Sequence, residues 1–287
     1  MVIKNKIISQ MNEWTYNHLF YFYLNIKNGQ FPKILNLKTP KSFNEKTIWL
    51  KMNYSVPNGD ILADKILVKN YVKNIIGEEY VIPNIAVYES VENIDFQKLP
   101  NSFVLKANHG SGWNIICNDK SNLNIRKTKK ILNNWLQTNY YYISKEHQYR
   151  YIQPKIFSEN YIYNTPENPL IDYKIFCFNG KPKLVQVDLD RFTNHTRNFY
   201  DLNWEIIPFT TLYPLGKKVL PKPVCLNEMI EVASKLSQGL LFSRIDLYLH
   251  QNKIFFGEIT LLHGGGFEPF IPKKYDNILG EYIEMPK

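Results

Sequence analysis

The chain has 287 residues, of which 44% are apolar, 21% charged and 15% aromatic, enough for a large packed core. That excludes a disordered, collagen-like or disulfide-stapled protein. The 35 Lys and Arg against 26 Asp and Glu give a formal charge of +9, which attracts acidic small molecules or polyanions, but the lysines are scattered and no helix-turn-helix, paired zinc-ligand or RNP-like pattern occurs, so no nucleic-acid partner is expected.

At the N-terminus there is no short apolar core followed by a small-residue cleavage site, so no signal peptide is expected. Trp14 to Ile26 is interrupted by Asn17, His18 and Asn25 and is shorter than the roughly 20 residues of a spanning helix. It reads as a packed helix, with an aromatic helix on a membrane surface as the alternative. Phe43 to Met52 has helical spacing, and Ser42 with Glu45 fits a capping box. Asp64 to Ile76 reads as a third helix closed by Gly77.

After Pro83 the pattern changes to short strands at Ile85 to Tyr88, Phe103 to Ala107 and Trp113 to Cys117, the last two flanking a glycine loop. A helix at Lys127 to Thr138 and a strand at Tyr151 to Phe157 follow. Tyr173 to Phe178, Asn179-Gly180 and Lys183 to Asp188 form a hairpin signal, because Asn-Gly supplies the positive φ of a tight turn. Leu226 to Gly239 reads as a helix, then Phe242 to Leu249 and Lys253 to Ile259 as a strand pair. Hairpins and helices without βαβ repeats give an α+β class. Cys117, Cys177 and Cys225 lack CxxC spacing and read as free thiols of a reducing cytoplasm.

Four constellations carry chemical potential. Arg244 and Asp246 share a face of one strand, as do Glu258 and Thr260 of the next; paired, they offer hard oxygens for Mg²⁺ beside a guanidinium. The same spacing fits an ordinary cross-strand ion pair. Lys106 followed by Asn108-His109-Gly110-Ser111-Gly112 suits backbone N–H contacts to a polyphosphate, though hairpin turns use such residues too, and neither the Walker A nor the Rossmann pattern is present. Lys65 and Lys69, one helical turn apart, make either a phosphate clamp or a solvated helix face. His263-Gly264-Gly265-Gly266 makes a flexible loop able to close on a substrate, with His263 as a substrate contact or a structural histidine.

The order of these features resembles the ATP-grasp superfamily, and within it the TupA-like family associated with teichuronopeptide and other bacterial surface-polysaccharide biosynthesis. PKSFNEKTIWLK, LADKILVKNYV, GEEYVIP, FVLKANHGSGWNIIC, DYKIFCFNGKPK, FSRIDLY and FFGEIT carry the resemblance, from about residue 38 to about 271. It implies an ATP-grasp fold of two α+β lobes clamping ATP: a mainly helical N-terminal region at 1–78, a small lobe with the glycine-rich loop at 79–154, and a large lobe with the metal-binding strands at 155–287. By position it implies that Lys69 and Lys106 contact nucleotide phosphates under Asn108 to Gly112. Gln153, Lys155 and Ile156 edge the adenine at the hinge, and Lys174 lies near the nucleotide. Asp246 and Glu258 hold Mg²⁺ or Mn²⁺, and Arg244 stabilises the transferring phosphoryl group. Thr260 stands where the family's Glu-x-Asn motif has its Asn, so a hydroxyl, a water or Glu258 alone must compensate.

ATP-grasp ligases such as D-alanine:D-alanine ligase phosphorylate a carboxylate, and an amine then displaces the phosphate. The resemblance therefore implies a carbon–nitrogen ligase that converts ATP to ADP and phosphate. Its partners would be the carboxylate of an acidic sugar or glycan and a small amine, with lipid-linked glycan precursors as a peripheral contact at the inner face of the membrane. Arg191, His195 and Arg197, with His263, Gly264 and Gly265, are the candidates for recognising the substrate, since Arg pairs bidentately with carboxylates; the first three equally suit a braced surface loop. The alternatives are a kinase of the same fold, a polysaccharide glycosyltransferase, or a non-catalytic nucleotide- or glycan-binding protein.

Overall fold

The structure, a computed structural model, describes residues 8, 10–27, 34–162, 170–190 and 193–286. Its helices are α1 (Glu13–Lys27), α2 (Phe43–Asn53), α3 (Gly59–Ala63), α4 (Leu67–Ile76), α5 (Ile125–Leu136), α6 (Tyr141–Ser144), α7 (Leu226–Leu236) and α8 (Lys274–Glu281). The strands are β1 (Asn84–Tyr88), β2 (Phe103–Ala107), β3 (Asn114–Cys117), β4 (Ile156–Asn160), β5 (Ile171–Phe178), β6 (Lys181–Leu189), β7 (Thr196–Tyr200), β8 (Ile206–Ile207), β9 (Thr210–Thr211), β10 (Phe242–His250), β11 (Lys253–Thr260) and β12 (Phe270–Ile271). No helix among the described residues is long and apolar enough to cross a membrane.

Two compact units divide the chain, one formed by residues 58–170 and the other by 1–57 with 171–287. These limits differ from the boundaries expected at 78/79 and 154/155. The strand expected at 151–157 runs instead from Ile156 to Asn160 and pairs with both β1 and β2, so its hydrogen bonds hold it in the first unit. The helix expected from Asp64 starts at Leu67, because the Asp64 side chain accepts from the backbone N–H of Ile66 and Leu67 at 2.8 and 3.2 Å. Lys65 thus lies in the turn before α4, and the expected one-turn spacing with Lys69 is not formed.

The 58–170 unit is built on an antiparallel sheet ordered β1-β4-β2-β3. Phe103, Leu105 and Ala107 of β2 point to a core completed by Leu132 and Trp135 of α5 and by Val91, Ile94 and Phe96. Alternation along the strand sends Val104 and Lys106 to the opposite face.

The other unit contains an antiparallel sheet ordered β11-β10-β5-β6-β7-β8. Its β5–β6 hairpin turns through Asn179 at φ 49° and Gly180 at φ 76°, as the Asn-Gly signal implies. The α2 capping box forms as expected: Ser42 Oγ accepts from the Glu45 N–H at 3.2 Å, and the Glu45 carboxylate accepts from the Ser42 N–H at 3.2 Å. Phe43, fully buried, packs its ring among Phe178, Phe242 and Phe270, while α1 sets Tyr16 and Phe20 against Phe267. The segment expected as a substrate loop enters β7 at Thr196, so Arg197 lies on a strand. Arg191 lies outside the described residues.

Helix α8 crosses the start of α2 at Gly280, where an added Cβ would collide with the Lys41 carbonyl and come within 2.8 Å of the Phe43 nitrogen. A helical Gly→Ala change ordinarily adds up to about 1 kcal/mol. Here the collision is with backbone, so Gly280→Ala lowers stability by about 1–3 kcal/mol, read as a lower urea midpoint; a raised midpoint refutes the close crossing.

Candidate functional site

In the 58–170 unit the two lysines singled out from sequence meet on one carboxylate. Val104 pairs with Glu159 and Lys106 with Phe157, so Glu159 and Lys106 share the sheet face opposite the core. Glu159 ion-pairs through one oxygen with Lys106 and through the other with Lys69, which reaches in from α4. The Lys69 ammonium also donates to the Ile82 carbonyl at 2.8 Å and to Asn84 Oδ1. Its three protons therefore have three acceptors, and Lys69 is held within the fold. Lys106, partly exposed, pairs only with Glu159 among the described residues and keeps donor capacity for an anion. Burial acts to raise the Glu159 carboxyl, but Lys106 and Lys69 outweigh it and hold it below its usual range. Burial lowers the Lys69 ammonium in spite of Glu159.

Beside this pair, Asn108 ties three segments together. Its amide donates to Asp64 Oδ2 at 2.8 Å and to the Gln153 carbonyl at 3.0 Å, and its Oδ1 accepts from the Lys155 N–H at 2.7 Å. His109 is buried, with its ring nitrogens 2.9 Å from Asn108 Oδ1 and 3.0 Å from the Trp135 carbonyl. A Cβ on Gly110 would lie 2.6 Å from the Trp113 ring, so that glycine answers to packing. The side chains of Asn108 and His109 are thus bound inside the unit, and Ser111 and Gly112 form the exposed tip of the loop. A cavity of about 270 Å³ is lined by Asp64, Leu67, Val87, Asn108, Gln153 and Lys155 among others. Ile156 turns its side chain into the core.

The second cluster lies on the six-stranded sheet of the other unit. Register places Glu258 of β11, Asp246 of β10 and Lys174 of β5 side by side, with Thr260 opposite Arg244. Asp246, buried, takes the Arg244 fork through Nε and Nη2, each at 2.6 Å, and Lys174 at 2.9 Å. Lys174 also pairs with Asp172, and Arg244 Nη2 lies 3.5 Å from Glu258. Burial alone would lower both Lys174 and Arg244, but the facing carboxylates overcome it and raise both.

Arg197 sits on β7 opposite Asp188 and is spent on its neighbours. Nε contacts Asp188 at 2.6 Å, while Nη1 contacts Glu268 and the Thr211 hydroxyl, each at 2.9 Å. His195 stacks on Tyr213 with ring centroids 3.6 Å apart and lies 3.3 Å from Asp188. Of the two readings left open for Arg197, substrate contact or brace, the geometry fits the brace, since two protein carboxylates already hold it. The glycine loop differs from the flexible lid expected. Gly264, Gly265 and Gly266 adopt φ of 56°, 61° and 81°; a Cβ on Gly266 would come within 2.5 Å of Ile48 and 2.9 Å of the Asn44 carbonyl. Lys51 donates to the Gly265 carbonyl at 3.0 Å. The loop is packed on α2, with His263 buried beneath it.

The TupA-like ATPgrasp family matches residues 45–284. The chain belongs to that family. No curated protein matches it. Among solved structures, this ATP-grasp chain is similar to D-alanine–D-alanine ligase from Bacillus anthracis complexed with ATP, at 16% identity and a TM-score of 0.42 over 70% of this chain and 54% of that one. It is also similar to the ATP-grasp ligase PsnB, at 9% identity and 0.41 over 76% and 57%, and to a RimK domain ATP-grasp protein from Sphaerobacter thermophilus, at 9% and 0.43 over 93% and 95%. The chain thus spans little more than half the length of the Bacillus ligase.

The donor chemistry of the second cluster suits a hard divalent cation. Asp246 and Glu258 sit on paired strands with the Thr260 hydroxyl nearby, and Glu258 is the more exposed of the two carboxylates. No group of three or more Asp, Glu, His or Cys side chains with metal-binding geometry occurs among the described residues, so the protein offers a partial ligand set, as is usual where substrate phosphates complete a Mg²⁺ shell. Two groups escaped the sequence reading: Glu159, whose strand was expected to end at Phe157, and Glu268, which holds His263 and Arg197. Only non-local pairing reveals either one.

Replacing Glu159 by Gln leaves two ammonium groups on a buried neutral amide, which costs about 3–5 kcal/mol at neutral pH. Because the folded carboxyl lies below its unfolded value near 4.3, this contribution is complete above about pH 5 and disappears as pH falls through the depressed value. Urea unfolding of both proteins along that range checks it; a difference that persists unchanged at about pH 2 contradicts the ion-pair account.

Proposed function

We propose that the protein is an ATP-dependent carboxylate–amine ligase that forms an amide on an acidic sugar of a bacterial surface polysaccharide. The observation that carries the reading is the in-register row Glu258, Asp246, Lys174 with the Arg244 fork beside it. In a chain of this family, that row gathers oxygen ligands and two fixed cations on one sheet face.

Lys106 contacts the nucleotide phosphates, and the Ser111–Gly112 tip covers them with backbone N–H groups. Lys69 supports Lys106 by sharing Glu159. The cavity edged by Gln153 and Lys155 receives the adenine. Asp246, Glu258 and Thr260 are the residues that would hold Mg²⁺, which supplies neutralisation of phosphate charge. Arg244 faces the phosphoryl group as its charge spreads over the equatorial oxygens, and Lys174 holds the Asp246 carboxylate in line. A substrate carboxylate oxygen attacks the γ-phosphorus, ADP leaves, and an amine then attacks the acyl carbon and releases phosphate. The charge of +9 accords with an acidic substrate.

The test is ADP and phosphate release from Mg-ATP with a panel of uronic acids, each with and without amino acids and amino alcohols. Both products appearing only with a carboxylate and an amine, together with an amide by mass spectrometry, support the ligase. ADP with one phosphorylated substrate moves the reading to a kinase, and no turnover across the panel counts against catalysis on these compounds. In the active pairing, Arg244→Met lowers kcat by roughly 10³-fold. Lys106→Met raises the KM for ATP about tenfold, the loss of one charge-assisted hydrogen bond. Steady-state kinetics with circular dichroism as the folding control decides; unchanged kcat in Arg244→Met removes the arginine from the mechanism.

A further inference from the structure

Arg244 is held from two sides. One edge of its guanidinium forks onto Asp246, while Nη1 donates to His263 Nδ1 at 2.9 Å. An arginine cannot accept a hydrogen bond, so Nδ1 must be the unprotonated nitrogen and the ring proton must sit on Nε2. Nε2 lies 3.2 Å from Glu268 Oε2. The same Glu268 oxygen accepts from the Thr211 hydroxyl at 2.7 Å and from Arg197 Nη1 at 2.9 Å. The imidazole is buried and lies edge-on to the Phe176 ring at 4.7 Å between centroids.

We propose that His263 is a positioning residue for Arg244, a neutral Nε2–H imidazole whose tautomer is set by the Arg244 donor and whose Nδ1 fixes the free edge of the guanidinium. This rests on the phosphoryl-facing role given to Arg244 above. A fork on a single carboxylate leaves the guanidinium able to rock about that contact, and an acceptor on the far side removes this freedom. Protonated His263 would instead turn an N–H toward Arg244 and set two cations against each other. Burial, Arg244 and Arg197 all favour the neutral ring, outweighing the pull of Glu268. Arg197, itself held by Asp188, completes the chain by pairing with Glu268, so the arginine expected to read the substrate serves the arginine beside the metal ligands.

Two measurements test the proposal. In ¹⁵N-labelled full-length protein, the imidazole signals that vanish in His263→Asn report its tautomer; Nε2–H at neutral pH is expected, and either Nδ1–H or imidazolium overturns the proposal. In kinetics with the substrates found active, His263→Leu lowers kcat about 10- to 100-fold, as loss of an outer support does at comparable sites, with the KM for ATP within about twofold. His263→Asn, which keeps an acceptor where Nδ1 stood, recovers most of that loss at equal thermal stability. An Asn variant as slow as the Leu variant, or a Leu variant as fast as wild type, overturns the positioning role. Absence of wild-type turnover on the whole panel counts against the ligase reading on these compounds and not against the His263 geometry, which the tautomer result then decides.

Discussion

Asp246 is 2% exposed on an interior strand of the six-stranded sheet, and Arg244 and Lys174 converge on its carboxylate. Each of those cations is itself too buried to stand alone, and each has further carboxylates to answer to. Lys174 takes Asp172, while Arg244 approaches Glu258 and meets the neutral ring of His263. From His263 the pattern continues through Glu268 and Arg197 to Asp188. Apart from the neutral His263, signs alternate along the chain, so most members have an opposite neighbour, and removing one leaves others uncompensated in a low-dielectric interior.

The two clusters carry opposite imbalances. Lys69 and Lys106 share one Glu159, which leaves one surplus positive charge on the open sheet face of residues 58–170. In the other unit the carboxylates Asp172, Asp188, Asp246, Glu258 and Glu268 outnumber Lys174, Arg197 and Arg244 by two. A surplus cation near a glycine loop suits phosphate, and a carboxylate excess suits a divalent cation. Neither cluster is a bare collection of charge; the proteins' own counter-charges set the residual that a ligand meets.

Much of this was legible because strands alternate. Period two is enough to place Arg244 with Asp246 and Glu258 with Thr260; that Glu258 faces Asp246 was not legible, because the tight turn after His250 alone would set Asp246 opposite Gly257, and a bulge between Asp246 and Leu247 shifts the register by one residue. The capping box and the Asn-Gly hairpin are local signals and form as read. Glu159 was not legible, since a lone glutamate near the end of a short strand acquires meaning only when β4 pairs with β2 from more than fifty positions away. The choice between substrate contact and brace at Arg197 stayed open for a related reason. A basic residue in a polar run looks open to substrate until Glu268, 71 positions later, is brought against it. The three glycines after His263 suggested mobility, yet their positive φ values and the backbone of α2 explain them by packing.

That packing gives the N-terminal helices a part in the site. Helix α2 leaves no room for a Cβ at Gly266, and its Lys51 holds the Gly265 carbonyl; α8 in turn crosses the start of α2 at Gly280. The loop so confined begins with His263, whose Nδ1 accepts from Arg244 and whose Nε2 lies 3.2 Å from Glu268. A chain that starts in one unit, leaves it after residue 57 and returns at 171 places its first helices against the strands that carry Arg244 and Asp246. The segment that fixes the His263 loop thus comes from far away in the sequence, with Lys51 and Gly265 separated by 214 positions.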